Sequence, residues 1–165
     1  MNVYLVRHAI AHERSRVRWP NDARRPLTAA GQRKFREAAR GLKRCLPKAV
    51  RVLNSPYVRA RETAAVLTKV AKLDHPVECP ELAANAPTAK AFELLRSRKE
   101  AAVVLVGHEP NLSKLLSAAL GGDRARLSFE FKKGGAACLH FAKDIAPGRA
   151  TLIWMIPPRV LRALG

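Results

Sequence analysis

The sequence predicts an α/β fold: a single three-layer α/β/α domain built around a mostly parallel central sheet. Segments with β-prone residues alternate with segments of helical spacing along most of the chain, the order expected when helices cover both faces of a parallel sheet. The segment Ala101–Val106 (AAVVLV) is continuously apolar, as is typical of strands buried on both faces. With 165 residues and no internal repeat, low-complexity tract or linker, residues 1–165 are predicted to form one domain.

The first strand and helix are predicted from apolar patterning and a capping residue. Asn2–Val6 is an apolar strand, and the polar, proline-bounded segment Asn21–Pro26 is a loop. Thr28 is a favourable N-cap, and helical spacing then extends over Ala29–Cys45 until Pro47. These features define the first strand–helix unit.

The second unit follows the same order. Val50–Leu53 is a short strand. Ser55 supplies an N-cap and Pro56 the first helical position, so a helix is predicted from Tyr57 to about Lys72. Pro76–Pro87 is expected to be irregular.

The second half of the chain continues the alternation around the buried strand Ala101–Val106. Thr88 can cap a helix that ends near Arg98, and a further helix runs from Pro110-Asn111 to about Leu120, where Gly121-Gly122 ends it. The remaining predicted elements are two late strands, Ala136–Ala142 and Ala150–Ile156, and a short basic helix after Pro157-Pro158.

The charge of the chain is strongly positive. Thirty-one Lys and Arg against thirteen Asp and Glu leave a net charge of +18, which attracts polyanions and steers anionic substrates. A compositional bias toward Ala, Arg and Leu explains the excess equally well. The cations are scattered and form no nucleic-acid motif, so charge alone selects no partner and a nucleic acid is not expected.

We expect a soluble, cytoplasmic protein without a membrane partner. No window approaches the roughly 18 apolar residues of a membrane span. The first apolar run stops at Arg7 and is too short for a signal peptide. Cys45, Cys79 and Cys138 are isolated and lack metal-ligand spacing, which fits buried thiols in a reducing compartment. No metal and no cofactor are predicted.

Cationic and imidazole side chains follow three of the predicted strands. Arg7 and His8 come directly after the first strand, Arg59 lies one turn into the helix after the second, and His108 follows the strand AAVVLV. Open α/β sheets bind ligands outside the carboxyl ends of their strands. Predicted helix starts at Ser55-Pro56 and after Glu109 add free backbone N–H groups that favour an anion. The sequence therefore predicts a phosphate-sized anion pocket at this edge.

Four motifs carry a family resemblance. They are VRHA at residues 6–9, RPLTAAG at 25–31, SPYVRARETA at 55–64 and VLVGHEPNL at 104–112. In order and spacing they resemble the successive signatures of the histidine phosphatase superfamily, whose fold is phosphoglycerate mutase-like. The small size, the RPLT segment and the short insertions resemble the SixA-like phosphohistidine phosphatases within that superfamily.

The resemblance implies a role for each residue of the predicted pocket. His8 would be the nucleophile, forming a phosphohistidine intermediate that water hydrolyses, and Arg7, Arg59 and His108 would bind the phosphate. These residue types suit phosphoryl transfer, because catalysis there rests on positioning and on stabilising negative charge. Rigid guanidinium forks hold phosphate oxygens, and a protonated His108 would add a third positive contact. The implied enzyme is a metal-independent phosphatase.

The sequence departs from the family pattern in two places. Ala9 stands where the family usually has Gly, which we expect to be tolerated provided that the position does not need a positive φ. Larger relatives carry an acidic proton donor in the region that reads CPELAANAP here. Glu81 is the only acid in that region, and Ala84 occupies the relatives' acidic position. Glu81 is therefore a candidate substrate-binding residue only. Arg25 of RPLT either extends the anion pocket or fixes its loop.

The leading hypothesis is a phosphatase that removes phosphate from phosphohistidine on a signalling or phosphotransfer protein. The absent acid favours this substrate, because a phosphorylated nitrogen leaves as imidazole and needs less help than an alkoxide. Two alternatives stay open: a phosphatase for small or polymeric phosphates, and an inactive basic module that binds anions or nucleic acid. A monomer is the default expectation.

Overall fold

A six-stranded sheet forms the centre of the computed structural model, which describes residues 1–165. The strands are β1 (Asn2–Arg7), β2 (Arg51–Asn54), β3 (Val77–Glu78), β4 (Ala102–Gly107), β5 (Ala136–Phe141) and β6 (Ala150–Ile156). Their order across the sheet is β3-β2-β4-β1-β5-β6. The pairs β1–β4, β2–β4 and β2–β3 are parallel, whereas β5 is antiparallel to both β1 and β6. Only β5 therefore runs against the others, which confirms the mostly parallel sheet.

Five helices cover the two faces of the sheet. They are α1 (Ala29–Cys45), α2 (Val58–Ala71), α3 (Thr88–Arg96), α4 (Asn111–Gly121) and α5 (Pro158–Leu164). Helices α1, α2 and α5 share one apolar cluster with the sheet, and α3 and α4 share another. All six residues of β4 are buried, because this strand lies in the middle of the sheet between both helical layers. The three-layer α/β/α prediction is thus confirmed.

Helix α1 begins and ends where the sequence predicts. The hydroxyl oxygen of Thr28 accepts a hydrogen bond from the backbone N–H of Gly31 over 2.9 Å. This is the N-cap interaction that the residue type predicts. Local capping chemistry therefore sets the start of α1.

Several elements differ from the prediction; β2 and β4, for example, each begin and end one residue later than predicted. Helix α2 begins at Val58 rather than at Tyr57, and its N-cap is Tyr57 rather than Ser55, because the backbone N–H of Ser55 still donates to Val106 of β4 (3.0 Å) and keeps the chain extended. Thr88 is the first residue of α3 and not its cap. The predicted irregular stretch contains β3, which is short because it pairs with only the last two residues of β2.

Cys79 and Cys138 are buried as predicted, whereas Cys45 is half-buried, and all three are free thiols. Cys45 is the last residue of α1 and packs against the edge of the apolar cluster that α1 shares with the sheet. None of the helices combines the length and the apolar character that crossing a bilayer would require.

Candidate active site

The two histidines of the predicted pocket lie side by side at the carboxyl ends of adjacent strands. β1 and β4 are paired in parallel, with Arg7 opposite Gly107, and the backbone N–H of His8 donates to the carbonyl of Gly107 over 3.0 Å. His8 and His108 are therefore brought to the same level of the sheet. Their ring centroids are 5.1 Å apart.

Arg59 reaches the same point from helix α2. Its strand, β2, is the other neighbour of β4, so the start of α2 faces the carboxyl end of β4. Nε of Arg59 donates to Nε2 of His8 over 3.3 Å. The Arg59 side chain is only 3% exposed, so its charge acts in a site from which most water is excluded.

Arg7 completes the group of four predicted residues. Its Nη1 donates to the carbonyl of Phe131, which ties the end of β1 to the segment before β5. Its positive charge is one of the groups that lower the pKa of His8. The structure thus brings all four predicted residues together.

The imidazole of His8 is held in one tautomer. Nδ1 of His8 lies 2.7 Å from the carbonyl oxygen of Ala9. A carbonyl can only accept, so Nδ1 carries the proton and Nε2 keeps its lone pair. Burial, together with the charges of Arg59, Arg7 and Arg25, lowers the pKa of His8 to about 3. His8 is therefore neutral at physiological pH. Its Nε2 lone pair accepts from Arg59 in this structure and can attack a phosphoryl group that replaces this hydrogen bond.

Ala9 fits its position without backbone strain. The only non-glycine residue with a positive φ in the chain is Lys72, so Ala9 does not need the conformation that would require Gly. Its backbone N–H donates to Thr63 Oγ1 over 3.0 Å. The same hydroxyl donates to the carbonyl of Arg59 over 2.6 Å. Thr63 thereby ties the residue after His8 to the helical turn that carries Arg59.

The surroundings of His108 disfavour the protonated state in which the sequence prediction gave it a positive contact with phosphate. Burial is the main cause that lowers the pKa of His108 to about 2, and the neighbouring His8 and the charge of Arg59 lower it further. Its Nε2 shares a hydrogen bond of 2.7 Å with Oγ of Ser55. The ring of Tyr57 packs against it at a centroid distance of 5.0 Å. His108 can offer a hydrogen bond to a ligand but carries no full charge.

Two buried polar atoms of this group have no hydrogen-bond partner. They are Nε of Arg7 and Nδ1 of His108, and no other buried side-chain nitrogen or oxygen of the chain is left without one. Unpaired buried polar groups are rare because each costs about 1–3 kcal/mol. An anion next to His8 could accept from both atoms, and this is the chemistry of a phosphate site.

Asp22 is a site residue that the sequence reasoning missed. Its Oδ2 lies 3.1 Å from Nη2 of Arg59, and its backbone carbonyl accepts from Nη1 of Arg59 over 2.8 Å. Its Oδ1 accepts from Nε of Arg25 over 2.8 Å. The hydrogen bond from Arg25 and the charge of Arg59 lower the pKa of Asp22. One signal was available: Asp22 is the only acid in the cationic segment 14–25.

The two candidate substrate-binding residues, Arg25 and Glu81, lie in different surroundings. Arg25 is buried, but its guanidinium is bound to Asp22 and, through Nη1, to the carbonyl of His12 over 2.6 Å. The geometry therefore favours the alternative in which Arg25 fixes the loop, while its charge still contributes to the low pKa of His8. Glu81 lies in the short helix Pro80–Leu82 and makes no hydrogen bond or ion pair with the four site residues. Its charge acts on Cys79 instead.

Comparison with known proteins agrees with this geometry. A sequence profile of the histidine phosphatase superfamily (branch 1) matches residues 3–84, the part that holds Arg7, His8 and Arg59. An uncharacterized protein of Picosynechococcus sp. is 33% identical over 139 residues, which are 82% of this chain and 82% of that protein. The similarity thus extends well beyond the profile match.

Two solved structures share the whole fold. The protein histidine phosphatase SixA, complexed with tungstate, is 26% identical with a TM-score of 0.81, over 98% of this chain and 99% of that one. A candidate phosphohistidine phosphatase SixA from Agrobacterium tumefaciens is 29% identical with a TM-score of 0.74, over 95% of this chain and 97% of that one. Both matches cover nearly every residue of each chain.

Proposed function

Since this chain belongs to the SixA-like branch of the histidine phosphatase superfamily and is a phosphatase, we propose that it hydrolyses phosphohistidine on a signalling or phosphotransfer protein. The observation that carries the proposal is the neutral His8, whose Nε2 lone pair lies within 3.3 Å of the Arg59 guanidinium. A nucleophile and an anion-binding group are thereby held in contact before any substrate arrives.

The first step is attack of His8 Nε2 on phosphorus. A bond forms between Nε2 and phosphorus while the bond from phosphorus to the substrate nitrogen breaks. When the other ring nitrogen of the substrate is protonated, the substrate leaves as neutral imidazole and needs no proton from the enzyme. Water then attacks the phosphorus of phospho-His8 while the bond from phosphorus to Nε2 breaks. The oxygen and both protons of the water leave in dihydrogen phosphate, and Nε2 recovers its lone pair.

Charge stabilisation comes from the two arginines. Arg7 and Arg59 face a phosphoryl group whose negative charge spreads over three oxygens in the transition state. Removing one such donor from a water-poor site costs about 10²–10³-fold in rate. His108 donates from Nδ1 in the tautomer in which Ser55 donates to its Nε2. The tungstate bound by the SixA structure is a tetrahedral oxyanion like phosphate and supports this use of the pocket.

The engagement of the neighbouring acids in other contacts supports a nitrogen–phosphorus substrate over an alkyl ester. Glu109, whose charge acts on Arg7, accepts hydrogen bonds from the backbone N–H and the hydroxyl of Ser113. Asp22 is the acid nearest to Arg59, and it stays ionised because Arg25 and Arg59 lower its pKa. Glu81 makes no hydrogen bond or ion pair with the four residues. An alkoxide leaving group needs a proton, whereas an imidazole does not, so the site suits phosphohistidine better than a sugar phosphate.

A substrate panel with EDTA present tests the proposal. It comprises a protein phosphorylated on histidine, a phosphoserine peptide, a sugar phosphate and polyphosphate. We expect kcat/KM for the phosphohistidine protein to exceed that for the sugar phosphate at least about tenfold. Equal values would contradict the proposed substrate class and leave a general phosphatase. No turnover of any substrate, with anion binding retained, would favour the inactive binding module.

A further inference from the structure

A large groove opens directly beside the candidate active site. It has a volume of about 1070 Å³, whereas pockets for single small molecules measure roughly 300–1,000 Å³. Arg7 and Ile10 line it, and the segment 128–133 and the start of α5 form its walls. Arg7 links the two regions, because its Nη1 donates to the carbonyl of Phe131 in that wall.

The rim of the groove is positively charged. Besides Arg7, it carries Lys132, Lys133, Arg159 and Arg162, against a single acid, Glu130. Glu130 is paired with Lys132. The salt bridges of the chain give no carboxylate partner to the other three rim cations. Their charge is therefore free to attract an acidic ligand.

The floor of the groove is apolar. Ile10 is 38% exposed, and the partly buried residues Phe129, Met155 and Ile156 are also among those that line the groove. Such a floor can bury leucine- or valine-sized side chains of a ligand at about 25 cal/mol per Å² of apolar surface. A polyphosphate chain offers no apolar group to cover it. The floor therefore favours a polypeptide over a simple polyanion.

We propose that this groove docks an acidic segment, carrying apolar side chains, of the phosphorylated protein whose phosphohistidine enters the site. The inference rests on the proposed function and names the chemistry of its partner. Arg7 belongs both to the candidate active site and to the lining of the groove, so residues that flank a phosphate bound at Arg7 lie next to the groove. The opposite charges of the groove and the acidic segment speed their encounter and select the partner. Contacts with the apolar floor then stabilise the bound segment.

Two synthetic peptides phosphorylated on histidine test the proposal. In one, the phosphohistidine is flanked by glutamate and leucine residues; in the other, every glutamate is replaced by glutamine. We expect kcat/KM of the wild-type enzyme to be about tenfold higher for the acidic peptide. The preference should shrink as ionic strength rises, since the rim cations are exposed.

The double variant Lys133→Glu, Arg159→Glu should lose this preference. The matched control is Arg36→Glu, Arg40→Glu, which makes the same charge change on the exposed face of α1 and should keep it. Comparing the two peptides on one enzyme removes any general effect on folding or chemistry. An equal kcat/KM of the wild type for both peptides, or an equal loss of preference in the control, would overturn the proposal.

Fluorescence anisotropy measures binding of the unphosphorylated acidic peptide, so this part of the test does not depend on phosphate hydrolysis. If neither phosphohistidine peptide is hydrolysed, the proposed function fails, but the groove variant should still weaken this binding and the control should not. Undiminished binding to the groove variant would contradict the docking surface. If that variant weakens binding of polyphosphate or single-stranded DNA more than binding of the peptide, the groove belongs to a polyanion instead.

Discussion

Nε of Arg59 donates a hydrogen bond to Nε2 of His8 over 3.3 Å, although the two residues come from different strand–helix units. The other two guanidinium nitrogens of Arg59 are held by Asp22. Arg59 is therefore fixed at three points, and the edge that carries Nε faces the proposed nucleophile. A phosphoryl group attacked by Nε2 meets a guanidinium that is already oriented.

Substituting Arg59 by Lys tests this orientation. Lys keeps the charge but cannot contact Asp22 and the phosphate with a rigid fork. We expect kcat/KM to fall about 10²–10³-fold, measured with the phosphohistidine protein. Arg61→Lys, in the same helix but with an exposed side chain, is the control and should retain wild-type activity. Full activity of Arg59→Lys would contradict the role of the fork.

Asp22 is a positioning residue in this account, because it contacts Arg59 and Arg25 rather than the nucleophile. Asp22→Asn removes the charge that orients both guanidiniums, so we expect kcat to fall about tenfold. Inhibition by vanadate should not weaken, because the arginines lose a competing carboxylate. Asp74→Asn, which alters an exposed ion pair with Arg51, should change neither quantity. A rise in KM without loss of kcat would contradict positioning.

Ala9→Gly restores the residue that is usual in the family. Because Ala9 adopts no positive φ, we expect kcat/KM to stay within about twofold. The free energy of unfolding should fall by about 0.5–1 kcal/mol, since Gly loses more backbone entropy on folding. Steady-state kinetics and urea unfolding measure the two effects. A large gain in activity would instead show that Ala9 impairs the site.

The two buried histidines should make the protein less stable in acid. Their pKa values in the folded chain are about 3 and about 2, below the value of about 6.5 in an unfolded chain. Between pH 6.5 and these lower values the unfolded chain binds more protons than the folded chain. The stabilisation that comes from the two neutral histidines is therefore fully present above pH 6.5 and decreases as the pH falls. At pH 4.5 each histidine should lower the free energy of unfolding by about 2–3 kcal/mol relative to its value above pH 6.5.

Urea unfolding at pH 7.5 and pH 4.5 measures that loss. The double variant His8→Gln, His108→Gln should lose less stability between the two pH values than the wild type. His75→Gln, at an exposed position, should lose as much as the wild type. Identical pH dependence of the double variant and the wild type would mean that the two histidines are not held neutral.

Features with a local cause were predictable from the sequence. Thr28 caps α1 through its own side chain, and the uniform apolar run of β4 reflects burial on both faces. The convergence of His8 and His108 followed from the rule that parallel strands present their carboxyl ends at one edge. These parts of the fold and site depend on patterns that the sequence shows directly.

The missed features depend on contacts between distant residues. Asp22 acquires its role only because the loop after β1 folds over Arg59, 37 positions further along the chain. The late start of α2 depends on pairing of Ser55 with β4, which overrides its capping tendency. The neutral state of His108 comes from burial and neighbouring charge. None of these is visible in a short window of sequence.

Trapping the phosphorylated enzyme tests the central claim most directly. The protein is mixed with a phosphohistidine substrate, quenched in alkali, digested and analysed by mass spectrometry. We predict phosphate on the peptide that contains His8, attached at Nε2, in the wild type and in His75→Asn but not in His8→Asn. Phosphate on a different residue, or undiminished turnover by His8→Asn, would contradict the account.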